Sequence, residues 1–142
     1  MQVADSREGV LTNFEVAELL AEQQRAREEQ EKALPLPGAR RGQAGSTAWA
    51  SHQNVATISE QVLGYLDKVA CASQTREQIV AFQKAVEPFK LTRMECLALV
   101  NTPPCSVVEI HLLIEECEER LQGDDAKRLL ALCQKLLVPA AS

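Results

Sequence analysis

Apolar positions along this chain recur every three to four residues, and polar caps, glycines and prolines cut the recurrence into short segments. Phe14, Ala17, Leu20 and Ala21 fall on one helical face, with Val16 and Leu19 beside them. Thr12-Asn13-Phe14-Glu15 precedes that face as a capping box, in which a threonine oxygen takes an orphan amide and a glutamate reaches back to the cap. The spacing predicts a helix whose ordered approach begins near Val10. After Glu22 the pattern fades into QQRAREEQEK, which has almost no apolar face, so the second half is expected to project or fray.

Residues 34–51 gather Pro35, Pro37, Gly38, Gly42 and Gly45 among small polar side chains and predict a flexible linker. From Asn54 onward, stripe follows stripe. Val55, Ile58, Val62, Tyr65, Leu66 and Val69 form the first. Capping boxes at Thr75–Gln78, Thr92–Glu95 and Ser106–Glu109 open three more, and Pro88 and Asn101 close two of them. The last of the three is the strongest, with Ile110, Leu113, Ile114, Cys117 and Leu121 inward over one continuous helix that ends at Gly123. Asp124 or Asp125 then caps a final helix with Leu129, Cys133, Leu136 and Leu137 inward. Caps in register with stripes predict an all-α fold. The expected organisation is an arm and helix over 1–33, a linker over 34–53, a helical bundle over 54–138 and a tail over 139–142.

Composition narrows the function. Apolar residues make up 46% and aromatics 4% of the 142 residues, which excludes a wholly disordered chain and argues against an all-β one. No run of about 18 uncharged apolar residues occurs, so no membrane insertion is expected. The formal net charge is −5, and no segment is basic enough for a phosphate-binding stripe, so RNA is expected to bind weakly or through a partner. Cys71, Cys96, Cys105, Cys117 and Cys133 include no pair at C-x-x-C spacing, and their number is odd. Neither a disulfide framework nor a zinc site is expected; the compartment reads as reducing, cytosol or nucleus.

The search for chemistry returns little. Cys105 with His111 would be the one nucleophile–base pair, and His52 lies in the linker. Glu115, Glu116, Glu118 and Glu119 read as a solvated face, with Glu116 and Arg120 at the spacing of a surface ion pair. Gly38, Gly42 and Gly45 lack the preceding strand that a phosphate loop needs. Arg40-Arg41 is too short for a nucleic-acid patch, and Trp49 reads either as a docking aromatic or as a local tuck. No catalytic, cofactor-binding, nucleotide-binding or metal-ligating residue is assigned.

Two blocks carry a resemblance. LTNFEVAELL at 11–20 and, more strongly, FKLTRMECLALVNTPPCSVVEIHLLIEECEERL at 89–121 resemble the small stalk subunits of multisubunit RNA polymerases. The likeness is to the family of the ninth subunit of RNA polymerase III, also named calcitonin gene-related peptide receptor component protein. More distant are the small stalk polypeptide of archaeal RNA polymerase and the fourth subunit of RNA polymerase II. The likeness covers roughly 10–22 and 54–121; Trp49 and the length of the linker depart from the pattern.

This resemblance implies a non-catalytic subunit whose bundle is like the helicase-and-RNase-D C-terminal domain. It implies heterodimerisation with a barrel-bearing subunit to form the stalk of polymerase III, contact with the polymerase core and initiation factors, and a place in the nucleus with some cytoplasmic chain. Two other readings stand beside it: a cytoplasmic adaptor for a peptide-hormone receptor, implied by the second name, and an independent nucleic-acid-binding bundle, which the charge disfavours. Under the first reading the expected partner interface is Val10, Leu11, Phe14, Val16, Leu19 and Leu20 on the arm, with Val107, Val108 and Leu112 flanking the strong helix.

Overall fold

The computed structural model describes residues 9–33 and 47–138. Among them the elements are helices α1 (Asn13–Ala33), α2 (Thr47–Leu66), α3 (Arg76–Val86), α4 (Arg93–Asn101), α5 (Val107–Leu113), α6 (Cys117–Arg120) and α7 (Asp125–Leu136). Single 3-10 turns at Ala70–Ser73 and Glu87–Phe89 connect them, and no strand occurs among the described residues. The all-α expectation holds.

The capping chemistry read from the sequence sets most helix starts. At Thr75 and Thr92 both halves of the box form: each threonine hydroxyl accepts the amide three residues on, while Gln78 and Glu95 reach back to the cap amide. At Thr12 the amide donates to Glu15 at 2.8 Å and the hydroxyl accepts from the Glu15 amide at 3.2 Å. Ser106 caps α5, but Glu109 reaches one residue further, to the Cys105 amide at 2.7 Å. Asp124 precedes α7 without capping it, because its carboxylate holds Lys127 instead.

The core is built from α3 to α7. Ile79, Phe82 and Val86 meet Leu99 and Val100, Ile110 and Ile114, Cys117 and Leu121, and the inward face of α7 at Ala126, Leu129, Cys133 and Leu137. Phe82, Leu99, Ile110, Leu129 and Cys133 are fully buried. Each large apolar side chain so buried contributes about 1.5–3 kcal/mol. α3 and α5 both pack on α7, while α1 lies against α2 and the 3-10 turn that follows it.

Several expectations need correction. The linker expected over 34–53 ends earlier, because α2 begins at Thr47; residues 34–46, with the glycines and Arg40-Arg41, lie outside the described residues, as does the Trp49 side chain. α1 runs on to Ala33, and its second half is mostly exposed over 22–29, in keeping with the projecting segment expected there. The α2 stripe is also displaced. Ser59 and Leu66 are buried, whereas Val55, Ile58 and Tyr65 face outward. The buried set is displaced by one residue, and one residue is about 100° of helix.

The strong helix is not continuous. Ile114 is extended, Glu116 adopts a left-handed conformation (φ 50°, ψ 39°) and α6 restarts at Cys117. A buried carboxylate explains the break. Glu95 on α4 accepts the Glu115 amide at 3.2 Å, and Arg120 donates to the Glu115 carbonyl at 3.0 Å, so both backbone groups are satisfied outside a helix. Arg120 is therefore engaged by Glu95 and not by Glu116. Ile110, Ile114, Cys117 and Leu121 still reach the core, and Leu113 is half-buried against it.

Candidate functional site

The groups that could do chemistry are dispersed or already engaged. His111 and Cys105 are both exposed, and Glu109 between them is held by the Cys105 amide. His52 has no described side chain. Glu115, Glu116, Glu118 and Glu119 are exposed, as a solvated face requires. Burial pushes the Cys71, Cys96 and Cys117 thiols up, and the Cys133 thiol up to about 12, which suppresses the nucleophilic thiolate. Among the described residues no group of three or more histidine, cysteine, aspartate or glutamate side chains is placed to hold a metal. No described helix is long and apolar enough to cross a membrane.

What the fold does assemble is a docking corner. The Asn13 amide donates to Asn101 Oδ1 at 2.9 Å, tying the start of α1 to the end of α4. A methyl group added at Gly9 would lie 3.3 Å from Arg93 at the other end of α4. Thr12 is buried in this arrangement, and Arg76 on α3 bonds Glu18 on α1.

Between the start of α1, the end of α2, the α4–α5 corner and α5 lies an open groove of about 460 Å³. Asn13, Tyr65, Asn101, Pro103, Leu112 and Leu113 contribute to its walls. Pro103 and Pro104 fix the extended corner that turns α4 into α5, and Pro104 is buried. The groove is therefore bounded by three segments distant in sequence, at residues 13, 65–70 and 101–113.

The expected interface residues divide into two groups. Phe14 and Val107 pack on this chain's own core, and Val16 and Leu20 are half-buried. The arm therefore hides part of its apolar face on the bundle, where the sequence alone assigned all of it to a partner. Val10, Leu11 and Leu19 remain exposed, at 45%, 50% and 44%. Val108 and Leu112 are more so, at 68% and 79%, and Leu112 lines the groove.

Sequence reasoning missed Tyr65, which lines the same groove, and Val55 and Ile58 further along α2. Their stripe was visible, but periodicity gives a face without saying what covers it.

Residues 10–137 match the family model described as RNA polymerase Rpb4. DNA-directed RNA polymerase III subunit rpc9 of Schizosaccharomyces pombe is 30% identical over 131 residues, covering 92% of this chain and 94% of the relative. The protein of the same name from Dictyostelium discoideum is 28% identical over 134 residues, covering 90% and 83%. DNA-directed RNA polymerase III subunit RPC9 of Saccharomyces cerevisiae is 20% identical over 156 residues, covering 93% and 97%. The matched span runs from Val10, just before α1, to the core residue Leu137 after α7, and the chain belongs to the RNA polymerase Rpb4 family.

Proposed function

We propose that this chain is the small, non-catalytic stalk subunit of nuclear RNA polymerase III. It pairs with a barrel-bearing subunit and supports initiation on genes for small RNAs such as tRNA and 5S rRNA. The observation that supports this reading best is the family match across residues 10–137, together with relatives named for polymerase III. RNA is engaged mainly through the partner, in keeping with the net charge of −5.

The pairing surface in this reading centres on Leu112 and Tyr65, which share the groove, and takes in the exposed Leu11, Val108 and Ile58. Several large exposed apolar side chains around a groove are more than scattered surface residues, and such tracts mark protein contacts. Co-expression of the full chain with the barrel-bearing subunit tests it. The pair should co-elute, and Leu112→Asp or Ile58→Asp should cut recovery roughly tenfold, equivalent to about 1.4 kcal/mol, while the free chain keeps its helical circular dichroism spectrum. Unchanged recovery for both variants would place the interface elsewhere. No residue or geometry in this fold favours the receptor-adaptor alternative.

A further inference from the structure

A second groove, of about 440 Å³, lies between the end of α3 and the outer face of α7, away from the corner formed by α1, α2 and α5. Its floor is apolar: Pro88 and Phe89 on one side, Ala131 and Leu132 on the other. Arg128 and Lys135 stand on the α7 wall at i and i+7, about 10 Å apart along the helix, with Ala131 and Leu132 between them. The lining holds these two cations and no carboxylate, in a chain whose net charge is −5. We infer that this groove is a docking site for an acidic peptide segment of another protein, with apolar side chains on the floor and carboxylates at Arg128 and Lys135.

Both cations are placed for this. Arg128 lies over the half-buried Phe89 ring, 5.8 Å from its centroid, so the guanidinium is held against the apolar floor. Its Nη1 also donates to Asp125 Oδ1 at 2.9 Å. The arginine side chain is 71% exposed, and an exposed pair one turn apart is weak enough to give way to an incoming carboxylate. Lys135 is exposed in the last turn of α7, where the helix's negative end favours a cation. Glu87 is exposed beside Pro88 and disfavours a uniformly anionic ligand, which suits a segment that alternates charged and apolar residues. Nucleic acid fits less well. A tracked phosphate backbone needs more than two cations, and Phe89 lies under Arg128 where a base would have to stack.

Fluorescence anisotropy on the full chain tests this with three labelled probes: a short peptide alternating glutamate and leucine, the same peptide with glutamine for glutamate, and an oligouridine RNA. The glutamate peptide should bind, and rising salt should weaken it. The glutamine peptide should bind roughly tenfold or more weakly, as should the glutamate peptide on an Arg128→Glu, Lys135→Glu double variant. Both substitutions are on exposed positions, and the variant's thermal melt is recorded beside the titration to confirm that the bundle is folded. Equal binding of the two peptides, RNA binding tighter than the peptide and lost in the double variant, or no peptide binding by a folded chain would each overturn the inference.

Discussion

Glu95 is the residue on which the middle of the bundle turns. Its carboxylate accepts the Thr92 amide at 2.7 Å, the Glu115 amide at 3.2 Å and both Arg120 Nη groups at 2.6 and 3.0 Å. The Arg120 guanidinium, helped by those amides against the cost of burial, holds its carboxyl down at about 2. A carboxyl depressed in the folded state stabilises fully above its ordinary value and loses that contribution as pH falls toward the folded one. The depression is worth on the order of 3 kcal/mol. Urea denaturation followed by circular dichroism should show stability falling between about pH 5 and pH 2. Glu95→Gln should cost about 2–4 kcal/mol at neutral pH, because it strands a partly buried arginine, and should flatten the acid limb. Two neighbours on α5 separate burial from display. Ile110→Ala should lower stability by about 2–5 kcal/mol, since Ile110 is fully buried. Leu112→Asp should leave the free chain's melt within about 0.5 kcal/mol.

At the scale of elements, the sequence declared where helices start better than how far they run. Thr12, Thr75 and Thr92 were legible because a capping box is a local reaction between residues three apart. The break between α5 and α6 was not, because its cause lies 20 residues away in sequence, where Glu95 takes the Glu115 amide. A continuous stripe and a broken one bury the same four residues, so periodicity alone does not separate them. Glu116→Gly distinguishes the two by sign. Glycine adopts the left-handed conformation without the steric cost that glutamate bears, so the substitution should raise stability by about 1 kcal/mol. In an uninterrupted helix it would lower stability by about 1 kcal/mol. Chemical denaturation of the two chains decides. Gly123, at φ 61°, provides the opposite control, and Gly123→Ala should cost about 1 kcal/mol.

Across the whole molecule, the fold class and the non-adjacent blocks of the candidate site could be read in advance, but their meeting place could not. Leu112 stood out as an apolar residue off its stripe, and Val10 and Leu11 as apolar residues on a short arm. That the start of α1 comes to the corner beside Leu112 rests on contacts distant in sequence: the Asn13 amide on Asn101, Phe14 on the core and Glu18 with Arg76. Tyr65 joins them only because α2 is rotated by about one residue relative to its apparent stripe. If the barrel-bearing subunit seats on this corner, it binds the folded chain and must stabilise it. At a partner concentration 100 times Kd the gain is about 2.7 kcal/mol, readable as a higher melting temperature for the pair, and a tenfold weaker Leu112→Asp chain should keep only about half of it at that concentration.

The seating of the arm also sets an order of events during synthesis. The acceptor for the Asn13 amide is made 88 residues later. At 5–20 residues per second the ribosome needs roughly 4–18 s to supply it. Through that interval the core against which Phe14 packs is still being made. The arm, made well before its acceptor, thus settles only after α4 has emerged, and until then its apolar side chains are open to chaperones.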